Sequence, residues 1–186
     1  MRGMGRVARY AMAAAMLVAA AGPMAAPAAE PVSALKGHDS NAPVDVSADR
    51  IEVQDRADRA IFVGNVHAVQ GDLSLDTSRL TVAYSGGQGG SGNPQIHRLD
   101  AAGGVMVKSP SETAHGDFGI YDLDRKLITL LGNVELIRDQ NRVNGARLVI
   151  DLESGRAVVD GGPPGVNQSG GRVTGHFTVP QRQQPK

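Results

Sequence analysis

The stretch FVGNVHAVQGDLSL, residues 62–75, has a counterpart in LLGNVELIRDQNRV, residues 130–143. At this offset of 68 positions, the tripeptide Gly-Asn-Val at 64–66 falls on the same tripeptide at 132–134. Extended without a gap, the offset aligns three further identical pairs, which are Asp49 with Asp117, Arg79 with Arg147 and Leu80 with Leu148. The chain is therefore predicted to contain an internal repeat, which constrains the fold before any other pattern is considered.

Alternation of apolar and polar residues predicts β-strands from residue 44 onward. Leucine and valine alternate with polar residues around positions 73–75, 80–84 and 148–152, as in strands with one buried face. Turn-forming residues recur every eight to twelve positions, at Gly64-Asn65, Gly71-Asp72, 86–94, Gly103-Gly104, Gly132-Asn133, 139–141 and 161–165. Short strands at this spacing predict an all-β sandwich or barrel.

The residues that recur in the repeat have a structural interpretation. Gly adopts positive φ and Asn tolerates it, so each Gly-Asn pair is expected to form a tight turn or a β-bulge that redirects its strand. The equivalent Arg79 and Arg147 are expected to begin strands and to cap exposed ends. Asp49 and Asp117 raise the possibility of paired catalytic carboxylates. Aspartates beside strand starts commonly bond a turn amide, and this interpretation is favoured.

The N-terminus has the order of residues that is typical of a secretory signal peptide. Three arginines precede an apolar run at 10–21, and Ala-Pro-Ala at 26–28 offers a cleavage site. A membrane anchor is the alternative, but the run is about a dozen residues where a span needs roughly 20. The sequence thus predicts a cleaved signal peptide at 1–28, a flexible lead-in at 29–43, a folded domain at 44–179 and a disordered tail at 180–186.

Composition narrows the classes of function. The chain has no cysteine, so no disulfide stabilises it in an oxidising compartment. Without the three signal arginines, 16 basic side chains face 19 acidic ones, a net charge of about −3 that offers no basic surface for nucleic acid. Three Phe, three Tyr and no Trp make stacking platforms for sugars or bases improbable.

No motif for catalysis, metal binding or cofactor binding emerges. The five histidines lack the sequence-local pairs of a metal site and are interpreted as surface residues. The Gly-rich segment 85–94 lacks both the Gly-Lys-Ser/Thr ending of a phosphate loop and the Gly-x-Ser-x-Gly elbow of a serine hydrolase. It is predicted to be a hairpin loop, and we expect no enzyme activity, metal ion or cofactor.

An apolar surplus surrounds both Gly-Asn pairs. Residues 60–63 and, around the second pair, Leu127, Ile128, Leu130 and Leu131 are apolar on both faces of their strands. Such a strand is either buried between two layers or faces something apolar that is not its own core. The pattern alone leaves a well-packed sandwich and an apolar binding surface both open.

Two segments carry a resemblance to a known family. ADRIEVQDRADRAIFVGNVHAVQGDLSLDTSRLTVAY at 48–84 and AHGDFGIYDLDRKLITLLGNVELIRDQNRVNGARLVIDL at 114–152 resemble the OstA-like family. The resemblance extends over about 44–179, and its most specific elements are the paired GNV turns, the SADR and HGDFGIYD strand starts, and the SRLTV and ARLVI strands. The ordered set, repeated at one offset, identifies the family better than any single tripeptide.

The resemblance implies a fold and a function. The fold expected from it is a twisted, slightly open β-jellyroll of short antiparallel strands, built from two similar half-repeats. The function is that of the family's periplasmic bridge, which carries lipopolysaccharide with its lipid A in an apolar trough. The implied partners are an inner-membrane anchor subunit, an outer-membrane β-barrel subunit and further copies of the chain, stacked head to tail.

The resemblance also suggests which residues contribute. Eight apolar residues on strands of the two half-repeats are predicted to line the trough: Val44, Val46, Val53, Phe62, Val105, Val107, Tyr121 and Leu123. Phe118 and Ile120, on the opposite face of the Tyr121 strand, are the alternative lining. The predicted docking edges are 44–51 and 172–179.

Three other functions stay open from the sequence. They are a periplasmic structural or adhesive β-solenoid that only polymerises, the single-span inner-membrane subunit of the same pathway, and a periplasmic hydrolase whose site the sequence hides. The cleavable N-terminus and the end of the chain at Lys186 favour the bridge over relatives that keep an anchor or continue into a barrel.

Overall fold

The computed structural model describes residues 38–86, 94–162 and 171–179, and these ranges contain ten β-strands and no α-helix. The strands are β1 (Val44–Ser47), β2 (Arg50–Gln54), β3 (Arg59–Gln70), β4 (Leu73–Ser85), β5 (Gln95–Lys108), β6 (Thr113–Asp122), β7 (Leu127–Arg138), β8 (Asn141–Asp151), β9 (Arg156–Asp160) and β10 (Thr174–His176). A 3-10 turn at Asp55–Ala57 joins β2 to β3.

All pairings of these strands are antiparallel. The sheet has the order β1-β3-β4-β5-β6-β7-β8-β10, while β2 also pairs with β3 and β9 also pairs with β8. Each edge of the sheet thus consists of two short strands, β1 and β2 at one edge and β9 and β10 at the other. The two segments predicted as docking edges contain β1, the start of β2 and all of β10.

A row of irregularities crosses the six long strands. Every pairing from β3 to β8 shifts register at the same level of the sheet, for example between Val63 and Val66 and between Leu131 and Val134. The row divides the sheet into two parts. We call the part that contains β1, β10 and the strand segments paired at their level the β1 half-sheet, and the part that contains β2 and β9 the β2 half-sheet.

The two Gly-Asn pairs form bulges of this row, the first on β3 and the second on β7. Gly64 and Asn65 have φ of 82° and 44°, and Gly132 and Asn133 have φ of 76° and 43°. In each repeat the Asn amide donates to the preceding aspartate at 2.9 Å, Asn65 to Asp49 and Asn133 to Asp117. The predicted bulges are confirmed, but each aspartate bonds the side-chain amide of the asparagine instead of the predicted turn amide.

Arg79 and Arg147 do not begin strands. They lie in the middle of β4 and β8, directly opposite Val63 and Leu131 beside the bulges, so the prediction that they cap strand ends is wrong. The strands also continue through Gly64-Asn65, Gly103-Gly104 and Gly132-Asn133, where the sequence predicts turns, instead of ending there. A bulge adds one residue without ending the ladder, and β3 to β8 therefore reach 10 to 14 residues.

Both half-sheets contribute to one hydrophobic core. Val66, Ala68, Val105, Val107 and Val134 come from the β1 half-sheet; Leu80, Leu99, Tyr121, Leu130 and Leu148 come from the β2 half-sheet. Since alternate residues of each strand point inward, the half-sheets face each other as two layers joined at the bulge row. The predicted all-β jellyroll of two similar half-repeats is confirmed.

The chain termini mostly lie outside the described residues. This applies to the predicted signal peptide at 1–28, to 29–37 of the lead-in and to the tail at 180–186. The last part of the lead-in, 38–43, forms a hydrogen-bonded turn in which the Ala42 amide donates to the Asp39 carbonyl. Within the described ranges no helix is long and apolar enough to span a membrane.

Candidate functional site

An apolar cavity lies between the two half-sheets. Its lining is mostly aliphatic and includes Val44, Ala68, Leu73, Leu75 and Val107 from one layer and Leu99, Tyr121, Ile128 and Leu130 from the other. About 30 Å³ of space is free inside it, close to the share of one water molecule in the liquid. The side chains of the two walls therefore fill the interior almost completely, as in an ordinary protein core.

Two larger openings flank this cavity. The first opening, about 470 Å³, is lined by residues 40–44, Gln70, 94–97, Leu123 and Asp124. The second opening, about 430 Å³, lies at the other edge and includes Leu136, Val143, Ala157 and Phe177. Val44 and Gln70 line both the first opening and the cavity, and a small pocket between the cavity and the second opening shares Val107 with the former and Glu112 and Leu136 with the latter. We call this row of neighbouring spaces, with the side chains that fill the interior between them, the groove.

A polar cluster stands where the first opening meets the cavity. Gln70, at the end of β3, is 4% exposed, and its amide nitrogen donates to the carbonyls of Ser40 at 3.0 Å and Ala42 at 2.9 Å. Its amide oxygen accepts from the Tyr121 hydroxyl at 2.9 Å and lies 3.1 Å from Nε2 of His38. Burial raises the pKa of the Tyr121 hydroxyl, and a hydrogen bond with Ser40 partly opposes this shift.

An ion pair stands at the corresponding place near the second opening. Glu112 is 9% exposed, and its carboxylate pairs with the guanidinium of Arg138, whose side chain is partly exposed. Burying an ionised carboxylate without a partner is costly, so the position of Glu112 depends on Arg138. The wall of the second opening is mainly apolar, whereas polar residues such as Asn41, Gln95 and Asp124 make up about half of the lining of the first opening.

Apolar side chains continue the groove walls to the sheet edges. Ile51 and Val53 on β2 pair with Phe62 and Ala60, whose side chains lie in or against the core, so they extend the inner face of that half-sheet. Their side chains are 56% and 57% exposed, because no further strand lies beside β2 at the sheet edge among the described residues. At the opposite edge Phe177, 66% exposed, lines the second opening.

The structure brings seven of the eight predicted lining residues together. Val105, Val107 and Tyr121 are buried in the core, and Val44, Val46, Phe62 and Leu123 are partly buried against it. Val53 lies apart, exposed on the inner face of the edge strand. On β6, Tyr121 is buried in the core and Phe118 is 55% exposed on the other face, whereas Ile120, the other residue of the alternative lining, is partly buried and also lines the cavity.

Sequence reasoning missed several residues of the groove. Leu99, Ile128 and Leu130 line the cavity, and the apolar alternation along β5 and β7 was a signal that could have found them. Gln70 carried no such signal, since its partners Ser40, Ala42 and Tyr121 are 28 to 51 positions away. The pairing of Glu112 with Arg138 likewise depends on two turns that only the fold brings together.

One surface cluster has the distances of a serine hydrolase triad. Ser85 Oγ lies 2.6 Å from Nε2 of His97, and Nδ1 of that ring lies 3.0 Å from Asp124. The Asp124 side chain is 67% exposed, however, whereas the carboxylate of such a triad is buried and holds the imidazole in one tautomer. We interpret the cluster as a surface network that ties the β6–β7 turn to β4 and β5.

The chemistry that the groove offers is therefore that of apolar burial. Among the residues that the structure describes, no group of three or more His, Cys, Asp or Glu side chains is arranged to hold a metal ion. The lining of the cavity is mostly aliphatic, and among the described residues no buried side-chain nitrogen or oxygen lacks a hydrogen-bond partner. Such a surface suits a molecule whose long apolar chains lie inside the groove while its polar head stays outside, at an opening.

Comparison with known proteins agrees with this description. The model of the family described as LptA/(LptD N-terminal domain) LPS transport protein matches residues 45–156, more than half of the chain. An uncharacterized protein of Rhizobium meliloti (strain 1021) is 35% identical over 121 residues, which cover 63% of this chain and 65% of that protein, slightly less than two thirds of its length.

A solved structure shares the fold. LptH of Pseudomonas aeruginosa is described as the LptA homologous periplasmic component of the conserved lipopolysaccharide transport device. It superimposes with a TM-score of 0.65 at 17% identity, over 76% of this chain and 99% of that one. The comparison at this identity concerns the fold alone.

Proposed function

Because the chain belongs to the family of LptA and LptD N-terminal-domain lipopolysaccharide transport proteins, we propose that it binds lipopolysaccharide in the groove and passes it between membranes. The acyl chains of lipid A lie between the half-sheets, and the sugars remain in water at the strand ends. The family is one of transport proteins, and the proposed role requires no catalytic residue.

The observation that carries the proposal is the apolar interior between the half-sheets, with one larger opening beside the β1 segment and another beside β9 and β10. Each acyl CH₂ moved from water into such a groove contributes about 0.8 kcal/mol. The free space is too small for an acyl chain, so the two layers must separate on loading. Separation breaks side-chain contacts across the groove but no backbone hydrogen bond of the sheet, because the strands pair with each other within each layer.

The eight predicted lining residues keep this role in the proposal. Val44, Val46, Phe62, Val105, Val107, Tyr121 and Leu123 form the wall within one copy. Val53 extends the wall at the edge, where it meets the next copy. The exposed Ile51 beside it supports this assignment, since large apolar side chains at an unpaired edge suit a covered interface.

Head-to-tail assembly is the second part of the proposal. Each edge consists of two short strands that pair with no further strand among the residues the structure describes, and such edges add strands readily. Pairing of β1 and β2 of one copy with β10 and β9 of the next would align their grooves. The chain would thus act in the periplasm, after cleavage of its signal peptide, between an inner-membrane anchor subunit and an outer-membrane β-barrel subunit.

Photo-crosslinking tests the groove. Tyr121 and Phe118 are aromatic residues three positions apart on β6, the first buried in the core and the second exposed on the outer face. A photoreactive phenylalanine at Tyr121 should crosslink to added lipopolysaccharide, and the same residue at Phe118 should not.

The control also decides between functions. Crosslinks from Phe118 alone would place the lipid on the outer face and refute the groove. Crosslinks from neither position, in protein that still forms long assemblies, would favour a structural β-protein that only polymerises.

Deletion of residues 172–186 tests the assembly. The deletion removes β10 and Phe177, so light scattering should find monomers at concentrations where the full chain associates. Deletion of 181–186 leaves β10 in place and is the matched control. Equal size distributions for the long deletion and the full chain would show that this edge is not used.

A further inference from the structure

Residues 38–43 lie across the first opening of the groove. The segment is held mainly by the Gln70 amide, which donates to two of its carbonyls, those of Ser40 and Ala42. His38 adds a second attachment, because its ring lies between the Gln70 oxygen at 3.1 Å and Asp72 at 3.1 Å, with its side chain 1% exposed. We call residues 38–43 the strap.

Gln70 also connects the two layers of the protein. It ends β3 in the β1 half-sheet, whereas Tyr121 lies on the β2 half-sheet, so the hydrogen bond between them crosses the groove. Both residues are 4% exposed, which keeps water from competing for the bond. One buried amide therefore fastens the strap and holds the two walls together at the same point.

The location of this contact matters for loading. Val44 and Gln70 line both the cavity and the first opening, so a chain that enters from this edge must pass them. At the second opening the segment after β10 lies beside the space, where Phe177 is largely exposed and the Thr178 amide donates to Asn141 at 2.9 Å. The two ends of the groove thus differ in how their segments are held, near β1 through Gln70, which also bonds the other layer, and near β10 through Asn141 at the start of β8.

We propose that the strap is a gate at the N-terminal edge of the groove and that the Gln70–Tyr121 hydrogen bond is its latch. The inference rests on the proposed function and adds regulation to it. An amphiphile with long acyl chains breaks the latch as its chains part the two walls, and this displaces the strap. In the absence of lipid the latch keeps the apolar interior closed to water.

A Tyr121→Phe variant tests the latch, because it removes the hydroxyl and keeps the ring that fills the core. Tyr84→Phe is the matched control, since the Tyr84 hydroxyl bonds Asp55 and does not cross the groove. Tyr121→Phe loses the hydrogen bonds of the hydroxyl with Gln70 and Ser40, so hydrogen exchange without lipid should be at least about three- to tenfold faster at the strap amides, the range expected for one lost hydrogen bond. Gln70→Ala should have a larger effect, and Tyr84→Phe none.

Binding kinetics test the gate. Lipopolysaccharide with a fluorophore on its sugars should associate with Tyr121→Phe about three- to tenfold faster than with the parent chain or Tyr84→Phe. Unchanged strap exchange in both Tyr121→Phe and Gln70→Ala would refute the latch. Faster exchange with an unchanged association rate would refute the gate, and absence of binding to every variant, the parent included, would instead refute the proposed function.

Discussion

The first repeat, 48–84, and the second, 114–152, contain the same bend in different surroundings. The Asp–Asn hydrogen bonds are 2.9 Å in both, and the φ angles of the two Gly-Asn pairs agree within 6°. Asp49, however, lies in the gap between the short edge strands β1 and β2, whereas Asp117 lies inside β6 with a paired strand on each side. The local sequence determines the bend, and position in the sheet determines how much of the fold depends on it.

Substitution of the bulge glycines should reveal the largest difference between the two repeats in the free energy of unfolding. Gly132→Ala places a side chain at φ 76° and drives its Cβ into the Asp117 carboxylate, in the middle of the sheet. We expect a loss of about 3 kcal/mol in the free energy of unfolding. Gly64→Ala meets Asp49 in the same way, but the edge can yield locally, so we expect about 1 kcal/mol. Urea unfolding measures both values.

A double variant separates the two causes of this loss. Adding Asp117→Ala to Gly132→Ala removes the two closest contacts, those with the carboxylate, and leaves the 3.0 Å contact with Cβ and the backbone strain, so part of the stability should return. If Gly64→Ala costs as much as Gly132→Ala, position in the sheet does not matter and the comparison of the repeats fails.

The aspartates of the repeats should show a smaller difference in the same direction. Asp117→Ala removes one charge-assisted hydrogen bond and should cost about 1 kcal/mol, while Asp49→Ala should cost about half of that at the frayed edge. A double-mutant cycle with Asn133→Ala isolates the pair, since the coupling energy excludes other contacts of the asparagine. A coupling energy near zero would show that the bond does not stabilise the bend.

These bends could be predicted from the sequence because their cause is local. Gly64-Asn65 and Gly132-Asn133 adopt positive φ, which glycine and asparagine tolerate. The offset of 68 aligns the two pairs with each other and Asp49 with Asp117. The predicted strand starts at Arg79 and Arg147 are wrong, because Gly-Asn pairs resemble turns in the sequence. The sequence alone does not show that the paired strands continue past them. The same reasoning could not distinguish Tyr121 from Val53, which are equivalent in the repeat but buried and exposed in the fold.

The polar groups of the groove were beyond prediction for a different reason. Gln70 has the sequence surroundings of an ordinary hairpin residue beside Gly71-Asp72. Its burial results from the strap and from Tyr121, and neither is near it along the chain. Long-range satisfaction of a buried polar group leaves no periodic pattern, whereas an apolar wall does.

The smallest expected difference between the repeats concerns the links that follow β4 in the first repeat and β8 in the second. In the second repeat β8 and β9 are joined by four residues, whereas the equivalent link in the first repeat is the Gly-rich 86–94. Asp151 organises the short turn, because Oδ1 accepts from the amides of Glu153 at 2.9 Å and Ser154 at 3.0 Å. These bonds, first of all that with Ser154, lower the pKa of the Asp151 carboxyl, and Arg156 adds to the shift.

The sign of the resulting pH dependence follows from that lowered pKa. A carboxyl whose pKa is lower in the folded state stabilises the fold above its ordinary pKa near 3.8, and the contribution disappears as pH falls through the folded value. Asp151→Asn should therefore lower the melting temperature slightly at pH 7, and the difference from the parent chain should vanish in strong acid. Other carboxyls cancel in this difference because both proteins carry them. A difference that stays constant from pH 7 to pH 3 would mean that the charge of Asp151 does not stabilise the turn, and that the shortness of the link alone distinguishes the second repeat from the first.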